Sequence, residues 1–104
     1  MARFDVYRNP REESARRVPY LLDVQSDFLD DLDTRVVVPL RATSEIERPV
    51  TRLNPSFDVD GTPVVMDTPQ IVGYPRHLLK RPAANLQANA PEIQIALDFL
   101  FAGI

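Results

Sequence analysis

The residue best suited to chemistry is His77, the only histidine of the chain, set in "YPRHLLKRP" beside Arg76, Lys80 and Arg81. An imidazole can exchange a proton near neutral pH and neighbouring cations can clamp a phosphate, so this group could serve a metal-free ribonuclease. An exposed histidine in a basic turn is the simpler reading. The densest carboxylate set, "DFLDDLD" at 27 to 33, has neither a histidine nor the oxygen-rich loop pattern of a calcium or magnesium cage, and reads as surface. Glycine occurs only at 61, 73 and 103, too sparsely for a phosphate-binding loop. With no cysteine there is no disulfide and no thiolate chemistry, and one histidine makes no metal-spaced cluster. Ser26 and Ser44 have no base at a recognisable spacing, so a hydrolase triad has no support. By elimination the chain is a binding protein, not an enzyme, with no cofactor and no metal.

Whatever it binds must be presented by one small domain, because 104 residues suffice for one core and not for two. Apolar content of 44% and charged content of 26% are those of an ordinary globular chain. The start "MARFDVYRNP" lacks the apolar region of a signal peptide and no apolar run could span a bilayer, so a cytoplasmic location without membrane contact is expected. A net charge of −3 gives no overall attraction to nucleic acid. The charges are uneven, however: Arg8, Arg11, Arg16 and Arg17 fall in one segment, and Asp27, Asp30, Asp31 and Asp33 in another. Two solvated loops explain this, with partner binding as the alternative.

Ten prolines spread along the chain allow only short elements between them. "RFDVY" at 3 to 7 alternates as a half-buried strand, with Phe4 and Val6 on the buried side. "YLLDVQ" and "RVVVPL" read as further strands, and Pro39 inside the second implies an edge position or a bulge. "SFDVDGTPVVM" has a hairpin pattern turning at Asp60-Gly61, and "QIVGYP" is one more short strand. The exception is "NAPEIQIALDFLF", where Asn89, Pro91 and Glu92 form a helix start. Ile93, Ala96, Leu97, Leu100 and Phe101 then make a core-facing stripe, while Ile95, Phe99 and Ala102 make a second one. One small sheet covers one face of a helix, so the second face and the apolar end "ALDFLFAGI" point to a subunit interface or partner site.

"FDVY", "LLDVQSDFLDDLDTRVVVPL", "LNPSFDVDGTPVVMDTPQ" and the closing "ALDFLFAGI", in this order, resemble the CcdB family of toxins from bacterial toxin–antitoxin modules. The similarity runs over nearly the whole chain, with 76 to 91 its weakest part and a loop at 8 to 17 that is longer than usual. It implies a mainly β fold, an SH3-like barrel of the CcdB/MazF type with a C-terminal helix at a homodimer interface formed by Ile95, Phe99 and Ala102. It also implies binding of the DNA gyrase A subunit and trapping of the cleaved DNA complex. The contacts carried over are Phe28, Leu29, Asp98, Phe101, Ala102, Gly103 and Ile104. A CcdA-like antitoxin with a disordered tail is implied near Arg8, Arg11, Glu12, Arg16, Arg41, Thr43, Glu45 and Ile46. One departure stands out: the family's third-last residue is a tryptophan, and here it is Ala102. Gyrase poisoning is therefore expected to be weakened. A non-toxic homologue that keeps antitoxin binding and regulation is the alternative, with a MazF-like endoribonuclease using His77 behind it.

Overall fold

The computed structural model describes all residues, 1–104. Seven strands, all paired antiparallel, curl into a nearly closed SH3-like barrel: β1 (Asp5–Arg8), β2 (Tyr20–Asp23), β3 (Thr34–Ala42), β4 (Ser56–Val59), β5 (Thr62–Met66), β6 (Val72–Pro75) and β7 (Ala84–Asn85). The one α-helix, α1 (Ala90–Ala102), comes last. The strand order β4-β5-β3-β2-β1-β7 leaves β3 with a divided edge, since Thr34–Val37 pair with β6 and Leu40–Ala42 with β5. At nine residues β3 is long enough to serve both.

That division explains Pro39, which sits in a central strand and not at an edge as its type suggests. It lies opposite Leu21 of β2, and its other side falls in the gap between the β6 and β5 pairings, where no ladder donor is required. There its carbonyl accepts from the Asp67 N–H at 2.9 Å. The hairpin β4–β5 turns at Asp60 and Gly61, with φ of 49° and 86°. Two successive left-handed residues give the turn a twist that suits a right-twisted ribbon, and Asp58 Oδ1 accepts from Gly61 N–H at 2.7 Å. The short β7, which seals the end of the sheet beside β1, has no strand signal in "AANL".

The main core lies between the sheet and α1: Val6, Leu22, Val38, Leu40, Val64 and Met66 meet Ile93, Ala96 and Leu97. Strand β1 departs from the expected half-buried pattern because its other side is covered too. Tyr7 joins Leu21, Val37 and Leu79 in a second cluster, and Asp5 is buried beside it. Helix α1 begins where the sequence places it, with Pro91 in the first turn; Asn89 caps no backbone N–H and instead donates from Nδ2 to Glu92 Oε2 at 3.4 Å. It ends at Gly103, whose φ of 74° is the left-handed stop and whose N–H returns to the Phe99 carbonyl at 3.0 Å.

Candidate functional site: a helix tip and an adjoining apolar loop

The core-facing stripe of α1 stops short of its expected end. Ile93, Ala96 and Leu97 are buried and Leu100 is half-buried, but Phe101 is 72% exposed. From Leu100 onward the stripe is no longer fully covered. Ala102 and Gly103 are exposed as well, and Ile104 is 76% exposed. On the flank of the helix away from the core, Ile95 is 47% exposed and Phe99 is half-buried under the Arg52 guanidinium, 4.8 Å from the ring centroid.

A second apolar projection comes from the loop between β2 and β3. Ser26 accepts from the Phe28 N–H at 3.2 Å and opens a 3-10 turn, Asp27–Leu29, that holds Phe28 out at 99% exposure with Leu29 beside it. Arg3 connects this loop to the helix. Its N–H donates to Asp27 Oδ1 at 2.7 Å, its Nε to the Val24 carbonyl at 3.0 Å, and its Nη2 to Gln94 Oε1 at 3.0 Å. Gln94 in turn donates to Asp98 Oδ1 at 2.9 Å. A chain of polar contacts thus runs from the loop along α1 to Asp98, one turn below Phe101. Phe28 and Leu29 follow Asp27 at the loop end of this chain, and Phe101 lies one turn beyond Asp98 at its helix end.

The loop has a rigid base made of residues that sequence reasoning did not single out. Arg35 is wholly buried and makes a two-pronged ion pair with Asp23, Nε to Oδ2 at 2.7 Å and Nη2 to Oδ1 at 2.8 Å. It also donates to the Gln25 carbonyl at 3.2 Å and to Asp30 Oδ1 at 3.4 Å. Gln25 spans the loop from within, donating to the Leu29 and Thr34 carbonyls at 2.9 and 3.2 Å and accepting from the Val36 N–H at 2.9 Å. Burial pushes the Asp23 carboxyl above its ordinary pKa even with Arg35 against it. Burial also works against the Arg35 cation, but the hydrogen bonds and charge of Asp23 outweigh it, and the guanidinium pKa stays above its usual value. The signal was present in outline: "LLDVQ" and "TRVVV" each carry one charge, of opposite sign, inside an aliphatic run. Asp23 pairs with Val37, two residues from Arg35, which makes the two charges diagonal neighbours on one face.

The acidic loop is therefore more than solvated surface, because Asp30 also meets Arg76 Nη2 at 3.5 Å and its carbonyl accepts from Arg76 Nη1. Arg76 is thereby committed to the loop, while His77 stands exposed next to it. No group of three or more histidine or acidic side chains is arranged to hold a metal ion.

The two segments with an implied antitoxin role also come together. The Ala42 N–H donates to the Arg17 carbonyl at 2.9 Å, and a shallow hollow between them is lined by Glu13, Arg16, Arg17, Ser44 and Glu45. Thr43 and Glu45 are exposed in a 3-10 turn and Ile46 is half-buried; Arg41 is tied to Asp67. Arg8, 5.9 Å from the Tyr20 ring centroid, and Arg11 are exposed and line two other hollows, one each. Glu12 is exposed at the start of the 3-10 turn Glu12–Ser14.

The fold is an SH3-like barrel with a C-terminal helix, and its most exposed large apolar side chains, Phe28, Phe101 and Ile104, lie on the β2–β3 loop and at the helix end. The family model described as CcdB protein matches residues 3–103, and the chain belongs to the CcdB family of toxin–antitoxin toxins. No helix of the structure is long and apolar enough to cross a membrane.

Proposed function

We propose that this protein is a cytoplasmic CcdB-like toxin, folded as one domain, that binds the DNA gyrase A subunit and traps its cleaved DNA complex. It acts as an inhibitor of a topoisomerase and catalyses nothing itself. The observation that carries the reading is the exposure of both Phe28 and Phe101 at the two ends of the polar chain that runs from Asp27 through Arg3 and Gln94 to Asp98. Leu29, Asp98, Ala102, Gly103 and Ile104 complete the target contact. The flank formed by Ile95, Phe99 and Ala102 meets a second copy, giving a twofold toxin for a twofold target. The disordered tail of a CcdA-like antitoxin covers Arg8, Arg11, Glu12, Arg16, Arg41, Thr43, Glu45 and Ile46.

Ala102 sets the potency. A buried indole contributes on the order of 150 to 250 Å², which at about 25 cal/mol per Å² is roughly 4 to 6 kcal/mol of gross burial. Losing such an anchor commonly costs about 2 kcal/mol or more in affinity. Phe101 does not replace it, since one helical step turns a side chain by about 100°. This same substitution favours a second reading, a family member whose present role is antitoxin binding and regulation without toxicity.

Expression in a bacterium, with assays of gyrase-dependent DNA cleavage and of RNA cleavage, tests these readings. Weak trapping of the cleaved complex by the wild type, raised by Ala102→Trp, is the expected result. Trapping by Ala102→Trp and none by the wild type selects the non-toxic homologue. RNA fragments that disappear in His77→Ala overturn both in favour of an endoribonuclease.

A further inference from the structure

The face of the sheet opposite α1 carries two adjoining hollows that the target surface does not use. The first lies over Leu21 and Pro39, between the 9–18 loop and β6, with Val18, Val72, Tyr74 and Leu78 as apolar lining and Arg11 at its rim. The second is lined by Arg8, Lys80 and Arg81 together with prolines and Ala83, and shares Asn9 and Leu78 with the first. Together they form one groove.

Its charge is one-sided. Arg8, Arg11, Lys80 and Arg81 are exposed, none has a carboxylate within salt-bridge distance, and no acidic residue lines either hollow. This occurs in a chain whose net charge is −3. Beneath the first hollow Tyr74 packs against the Tyr7, Leu21, Val37 and Leu79 cluster.

Both walls are built before anything binds. Asn9 fastens the loop by donating to Ser14 Oγ at 3.0 Å and to the Val18 carbonyl at 2.9 Å while accepting from the Arg11 N–H at 2.9 Å. Opposite, Leu79 is buried and its N–H donates to the Arg76 carbonyl at 3.0 Å, and the Ala83 N–H donates to the Val6 carbonyl at 2.7 Å. A preformed groove with an apolar floor and a cationic rim fits a peptide that carries both carboxylates and aliphatic side chains.

We infer that this groove seats an acidic, aliphatic-bearing segment of a partner protein, with Arg8, Arg11, Lys80 and Arg81 facing its carboxylates and Leu78 and Val72 its apolar side chains. This extends the antitoxin reading to residues 72 to 83, a footprint that reading does not include. Nucleic acid would use the cations but leave the aliphatic floor unmatched.

The test is amide-resolved NMR of the full chain titrated with three probes: a synthetic glutamate-rich peptide with interspersed leucine and valine, the same peptide with lysine for glutamate, and a polyuridine oligomer. The glutamate peptide is expected to shift Gly73, Tyr74, Leu78 and Lys80, and the double variant R11E/R81E, with an unchanged circular dichroism spectrum, to weaken that binding by about tenfold or more. The lysine peptide should leave these amides unmoved. Shifts confined to residues 13–17 and 43–46 overturn the groove and leave the antitoxin reading standing. No response to the glutamate peptide, an equal response to the lysine peptide, or a stronger one to polyuridine overturns the proposal.

Discussion

The β2–β3 loop and the tip of α1 both present phenylalanine to solvent, yet they are supported in opposite ways. Phe28 stands on a buried polar scaffold in which Asp23, Gln25 and Arg35 satisfy one another. Phe101 stands on the last turn of a helix whose support ends with the half-buried Leu100 and whose stop is a single left-handed glycine. Buried charges are expensive and lend little net stability compared with apolar substitutes, so a scaffold of this kind is better understood as fixing one loop geometry. The tip needs no such device because helix geometry already aims its side chains. One half of the surface is positioned by polar chemistry and the other by backbone periodicity.

Breaking the scaffold should have the largest effect. Arg35→Ala leaves Asp23 buried and unpaired, and denaturant unfolding should show a loss of about 3 to 5 kcal/mol. The double variant Asp23→Leu/Arg35→Met should lose less than Arg35→Ala alone. If the two lose equally, the scaffold contributes as packing and not as a charge pair. At the two exposed phenylalanines the expectation is reversed. Phe28→Ala and Phe101→Ala should each change stability by no more than about 0.5 kcal/mol, because neither side chain packs on the core.

Smaller effects sharpen the contrast. Gly103→Ala should cost about 1 kcal/mol through its left-handed backbone alone, since a methyl group there meets nothing within 4 Å. The change should appear as faster hydrogen exchange in the last turn of α1 only. Ile95→Glu should lower self-association in sedimentation equilibrium with the far-ultraviolet spectrum unaltered. The smallest effect concerns alkaline pH. Burial, then the nearby Asp5 and Asp23 charges, push the Tyr7 pKa well above the ordinary tyrosine value. A raised folded-state pKa means that the stabilisation is complete below the unfolded value and is lost as pH climbs above it. Stability should therefore fall above about pH 10, and NMR titration should find Tyr7 still un-ionised above that pH.

Much of this was legible in the sequence. The hairpin at Asp60-Gly61, the helix start near Pro91 and the apolar ending all follow local rules, and local rules survive folding. What stayed hidden depended on partners distant in the chain. Asp5 and Tyr7 looked like the wet side of a strand because nothing nearby reveals that Leu79 folds over them. Phe101 fitted the core stripe by periodicity, but periodicity does not say how far along the helix the cover extends. Pro39 signalled an edge, and the divided pairing of β3 supplied another way to spare its missing donor. Arg3, linking the loop to Gln94 across 91 residues of sequence, has no local mark at all.

The central claim is that Phe28 and Phe101 form one surface for a foreign protein. Calorimetric titration of purified gyrase A subunit with the wild type, Phe28→Ala and Phe101→Ala tests it most directly. Binding by the wild type that weakens about thirtyfold or more in both variants, each still folded, is the predicted result. No binding by the wild type, or equal binding by all three proteins, would contradict the account.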